Sequence, residues 1–257
     1  MMGGSGSIPL RMFSFRQRTV LASALFSGLT SMALFVQIYY LPFYFQSVRG
    51  MSAIASGVRT IPYLASSSVV AVMVGGAISV CGYYAPFAWI GSAVFCIGAG
   101  MLTTLKLDSS PAEWIGYQVI AGAGAGSCIQ IPLVAVQAVL SKEDLPVGSS
   151  ITIFFGTLGG AVSTSMAENI FATSLIDRIP KEVPDFDPHR LLEAGATQIK
   201  DIVPKDSLQN VLRAFNTSVT NVLSLAIIMS GFAFFASLLF EWTNLKRKQK
   251  PTTVESC

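Results

Sequence analysis

The sequence predicts an all-α integral membrane protein, a bundle of six transmembrane helices, and three observations predict it. Apolar residues make up 52% of the 257 and charged residues only 12%, about half the charge of an average soluble domain. Six long runs are almost free of charge, each able to supply the roughly 20 residues that cover a hydrocarbon core ~30 Å thick. Within these runs glycine recurs at steps of three and four, which lets a second helix approach closely.

Residues 1–18 read as a cytosolic or linker segment, because MMGGSGS has no apolar signal core and Arg11, Arg16 and Arg18 follow it. The first span covers about 19–45, with Pro42 expected to kink its far end. Gln37, Tyr40 and Tyr44 share a face there. That face suits a cavity lining, while interfacial anchoring accounts equally for the tyrosines and better for Tyr44. The second span, about 57–80, opens on Arg59, whose stem can snorkel, and its Ser66, Ser67 and Ser68 can bond back to their own helix. The turn Cys81 to Tyr84 leads to a third span at about 85–105, kept slim by Gly91, Gly98 and Gly100.

The fourth span, Trp114 to Leu140, carries no charge at all. Read as one helix, it places Gln118, Gly122, Gly126, Gln130, Leu133 and Gln137 on one face. Lipid is a poor neighbour for bare backbone and amides, so this stripe suits either a packing seam or a water-lined cavity. The fifth span, about 147–173, has a second close-approach surface in Gly156, Gly159 and Gly160. Its Glu168 is a candidate proton-coupling acid, although ~1.5 Å per residue from Gly148 puts it near the far interface.

The five spans thus occupy 19–174. A polar loop follows at 175–218, holding His189 and the amphipathic piece HRLLEAGATQIKDIV, then a sixth span at 219–242 and a basic tail at 243–257. Asn216-Thr217-Ser218 matches a glycosylation acceptor but abuts the last span, where access is poor. Positive charge before the first span and after the last places both ends in the cytosol, which six crossings satisfy, and the loop outside. The four cysteines form no disulfide or zinc pattern, and the single histidine leaves no room for a membrane-embedded catalytic triad. Basic residues flank apolar spans rather than forming a nucleic-acid stripe. The reading is therefore not an enzyme, with no metal and no cofactor.

Beyond that outline the residues resemble a family. PLRMF, RQRTV and IYYLPFYFQSVRGMSAIASGV resemble the ninth span of the fourteen-span drug:proton antiporters of the major facilitator superfamily. GYQVIAGAGAGSCIQIPLVAVQ is similar to that family's twelfth segment and FFGTLGGAVSTSMAENIF to its thirteenth, and the charged loop and basic tail are similar to fungal toxin and multidrug efflux members. The resemblance implies one half of a major facilitator fold: the C-terminal bundle of an alternating-access carrier that expels small organic molecules in exchange for protons. The plasma membrane is the family's usual address. On this reading Gln37, Tyr40, Gln130 and Gln137 line the cavity, and Gly122, Gly126, Gly156, Gly159 and Gly160 serve packing and helix movement. The partners are the bilayer, protons, a small organic substrate and a missing N-terminal bundle. The turn at Cys81 to Tyr84 lacks the basic residues often found at the matching position. The chain then reads as a fragment or truncated gene model, inert by itself. The alternative is a self-standing six-helix scaffold or modulator that moves nothing.

Overall fold

A computed structural model describes residues 18–183, 203–204 and 207–243. Among the described residues the helices are α1 (Arg18–Ser47), α2 (Ala53–Arg59), α3 (Ile61–Cys81), α4 (Ala85–Leu102), α5 (Pro111–Ile129), α6 (Ile131–Val139), α7 (Leu145–Glu182) and α8 (Leu208–Ser237). With α2 joined to α3 and α5 to α6, they make six segments long and apolar enough to cross a membrane. Arg11, Arg16, His189, the amphipathic piece up to Ile202, and the basic tail from Asn244 lie outside the described residues.

Local chemistry sets the breaks. Ser52 caps α2 by accepting from the Ala55 N–H. Gly82 ends α3 at φ 79°, a left-handed conformation that glycine adopts without strain, and its N–H reaches the Ile78 carbonyl. Ser110 and Glu113 close a reciprocal capping box at the start of α5, with Pro111 in the first turn. Pro42 lies inside α1, which remains one assigned helix across it.

Three expected segments differ. The fourth span is two helices, α5 and α6, because Pro132 has no N–H to return to the Cys128 carbonyl and Gln130 becomes the junction. The second span is likewise broken at Thr60, two residues before Pro62. The stretch 175–218 is largely helical at its ends. Leu175 and Ile179 extend the buried stripe of α7 beyond Phe171, and Val211, Ala214 and Phe215 begin that of α8. These apolar positions at helical spacing outweigh the charges between them.

Packing divides the bundle into a back and a front. α5 lies between α3 and α4, α1 lies against α7 and α8, and the α4–α8 seam joins the two sets at the back. The front therefore consists of α3, the α5–α6 junction, α1 and α7. Glycines allow the closest approaches. A Cβ on Gly122 would strike Tyr63 and Ser66, one on Gly126 would strike Ser67, and one on Gly159 would strike Gly28. Gly156 lies against Ser27, and Gly160 against the Phe35 ring. At the back, Trp89 donates its indole N–H to the Ser237 carbonyl at 2.9 Å.

The front is poorly covered. α3 buries only Tyr63, Ser67 and Ile78, while Val69, Val72, Met73 and Val80 are exposed. On α7 the buried positions form a narrow stripe toward α1, leaving Phe154, Leu158 and Val162 exposed.

Candidate functional site

A cleft of about 250 Å³ opens on the front where α1, the α5–α6 junction and α7 converge. Ser27, Ser31 and Phe35 line it from α1 at successive turns, Ile129, Pro132 and Leu133 from the junction, and Thr152, Ile153, Gly156 and Thr157 from α7. The helical repeat of ~3.6 residues brings positions four apart into line, which puts the α1 trio on one face. The Thr152 hydroxyl donates to the Gly148 carbonyl at 3.0 Å and that of Thr157 to the Ile153 carbonyl at 3.0 Å. Their oxygen lone pairs remain as acceptors. No acid or base is among the lining residues. Hydroxyls, aliphatic surface and one aromatic ring suit an uncharged amphiphilic portion of a ligand.

Of the glutamines expected to line a cavity, one is buried and two are exposed. Gln37 is fully buried inside the bundle and lines no open cleft, because α1 presents Ser31 and Phe35 to the front and turns Gln37 inward. Gln130 and Gln137 are exposed, but neither borders the cleft; Gln130 stands beside it at the junction, between Ile129 and Ile131. Of the stripe drawn through Gln118, Gly122, Gly126, Gln130, Leu133 and Gln137, the first three are buried, Leu133 lines the cleft, and Gln130 and Gln137 are exposed. Tyr40 is half-buried, packed on Phe43 and Phe171 at ring-centroid distances of 5.7 and 6.1 Å. Glu168 is exposed on α7, near Tyr40.

The five glycines singled out by spacing all lie at helix–helix approaches, as described above, and Ser66, Ser67 and Ser68 donate to carbonyls of their own helix. Tyr44 is no interfacial anchor: it is fully buried and its hydroxyl donates to the Lys106 carbonyl in the α4–α5 loop. At the same end Arg59 lies over the rings of Phe45 and Trp114, 6.0 and 5.5 Å from their centroids. Asn216 is part of α8 and donates to the Leu105 carbonyl at 3.2 Å, which ties its amide to the end of α4.

The hydroxyl-bearing wall was missed because serine and threonine inside an apolar run usually satisfy themselves on their own helix. The available signal was the repeat Ser27, Ser31, Phe35 set against Thr152, Gly156, with Pro132 between them.

No family model matches the chain. Curated relatives do. MFS-type transporter astH of Aspergillus oryzae is 37% identical over 95% of this chain and 43% of its own length. MFS-type efflux pump MFS1 of Trichophyton rubrum is 36% identical over 96% of the chain and 46% of its own. The Aspyridones efflux protein of Neocamarosporium betae is 38% identical over 97% and 44%. The chain thus spans about half the length of the curated relatives it matches. Among solved structures, a bacterial homolog of the human lysosomal transporter Spinster, inward-facing and unoccupied, shares the fold. The TM-score is 0.63 at 18% identity, covering 97% of this chain and 55% of that one. Across nearly its whole length, therefore, this six-span membrane chain is a relative of the proteins named MFS-type transporters and efflux pumps, and it carries a transporter's fold.

Proposed function

We propose that the chain forms one of two walls of an alternating-access efflux carrier for small organic molecules. The observation that carries this reading is the open cleft lined by hydroxyls of α1 and α7 at the α5–α6 junction, beside the exposed apolar residues Phe154, Leu158 and Val162 of α7. A missing N-terminal six-helix bundle would cover that front, leaving the cleft at the seam where substrate binds in inverted-repeat and two-bundle carriers. Ser27, Ser31, Phe35, Thr152 and Thr157 then hold the substrate, with Gln130 at the rim. Gln137, exposed on α6 outside the cleft, is proposed as an amide of the wider cavity between the two walls.

Exchange against protons belongs to the same proposal. Glu168, exposed on α7 near Tyr40, is the candidate acid for it. Both ends of the bundle face the cytosol and the carrier sits in the plasma membrane.

Efflux from a pump-deficient cell tests the reading. A full-length carrier containing these residues should lower drug accumulation, Ser31→Leu should abolish that while protein level is retained, and Gln130→Ala should alter substrate range. An unchanged profile for Ser31→Leu would remove the cleft from the pathway, and an unchanged range for Gln130→Ala would remove the rim role. If the 257 residues alone lowered accumulation, the need for a second wall would be refuted.

A further inference from the structure

Two residues at the centre of the bundle are left without protein partners. Gln37 on α1 and Gln118 on α5 are both 0% exposed, and among the described residues neither the amide nitrogen nor the amide oxygen of either one meets a hydrogen-bonding group. Each amide offers two N–H donors and an oxygen with two lone pairs. Stranding four such atoms in a membrane-embedded core is costly, and buried polar groups almost always find a partner in protein or water.

The register brings these amides together. Phe45 of α1 meets Trp114 of α5, with ring centroids 5.2 Å apart. Toward the other end Ser31 and Phe35 share the cleft with Ile129 and Pro132. The two helices therefore run antiparallel, and residue numbers fall on one as they rise on the other. Gln118 is one turn in from Trp114 and Gln37 two turns in from Phe45, so their Cα atoms differ in depth by about one turn, ~6 Å at 1.5 Å per residue. Both lie between the Phe45–Trp114 level and the cleft, among Leu41, Ala121 and Ala125, all buried. Tyr63 packs its carbonyl toward Gly122 on the same stretch of α5, and its buried hydroxyl is also unpaired.

We propose that Gln37 and Gln118 enclose a buried hydration site between α1 and α5, in which water bridges the two amides. Full burial decides the ligand: both amides are closed to solvent, so a substrate cannot enter, and two neutral carbonyl oxygens are too few ligands, with no countercharge, for a buried cation. Water supplies both donors and acceptors, matches two groups a turn apart, and needs only two to four polar partners. A water-bridged contact also holds α1 against α5 in one register while being able to re-form if the helices slide. The site stands independently of any transport function.

Radiolytic hydroxyl labelling of the chain in lipid nanodiscs tests it, because radicals born from a bound water modify the side chains beside it. Leu41, which the register places beside both amides, should be modified well above Leu175 and Leu223, which are equally buried. The double variant Gln37→Leu with Gln118→Leu should bring Leu41 down to their level. Each single Leu variant should melt lower than the double, since removing one amide strands the other. Wild-type Leu41 modified no more than Leu175 and Leu223 overturns the proposal, and coupled melting without labelling would mean a direct amide-to-amide bond, which overturns it too. If the double variant does not fold, the wild-type comparison decides alone.

Discussion

A single methyl group decides whether α3 and α5 can lie against each other. The missing side chain of Gly126 is the space occupied by Ser67 backbone, which cannot swing aside as a flexible side-chain tip could. Gly126→Val should therefore lower bundle stability by about 1–3 kcal/mol or more, the usual cost of overpacking. Gly75→Ala is the matched control, because nothing lies within 4 Å of the added carbon, and helix propensity favours the change by up to ~1 kcal/mol. Thermal unfolding in detergent reads both. Asn216 gives a second residue-scale expectation. With its amide nitrogen bonded to Leu105 inside a helix, it is held away from any glycosylating enzyme. Asn216→Gln made in a glycosylating host should leave electrophoretic mobility unchanged yet lower the melting temperature, through the lost bond worth about 1 kcal/mol. A mobility shift would show that the acceptor is used.

At the scale of elements, the α5–α6 junction sets the shape of the cleft. Proline costs about 3 kcal/mol in a helix interior, yet here Pro132 lies in the first turn of a new helix, where its missing N–H is no loss. Pro132→Ala should let α5 run on into α6, raise stability and withdraw Gln130 from water. Thiol labelling of a Gln130→Cys variant, with and without Pro132→Ala, measures that withdrawal; equal rates would mean that the break has another cause. The junction also explains a limit of periodicity. Spacing aligns Gly122 with Gly126 against α3, but it does not say that the hydrogen bonding stops at Gln130, where Pro132 has no N–H to give.

For the whole molecule the question is what covers the front. Val72 and Met73 are 76% and 65% exposed, and apolar side chains on a membrane helix are satisfied equally by lipid or by another helix. The clefted front of α1, the junction and α7 is different, because its hydroxyls gain from a second wall. A lipid-soluble carbene should label Thr157→Cys and, at the back on α4, Ile97→Cys in the chain alone, and a co-expressed N-terminal bundle should protect the first strongly. Equal labelling in both cases would count against two opposed bundles.

What the sequence determined by itself is the number of spans, their order and the glycine surfaces. Hydrophobic length and helical spacing are local properties: a run of uncharged residues must span, and a glycine four residues from another must share its face, whatever lies beyond. Tertiary structure alone decided which polar residues meet the cleft. Gln37 and Ser31 sit on the same helix and look equally eligible, but α5 and α8 claim the inward side of α1 and leave Ser31 at the front. That choice depends on how neighbouring helices are rotated about their axes, a property set by packing between distant segments and by the break at Pro132, neither of which is written in any one span.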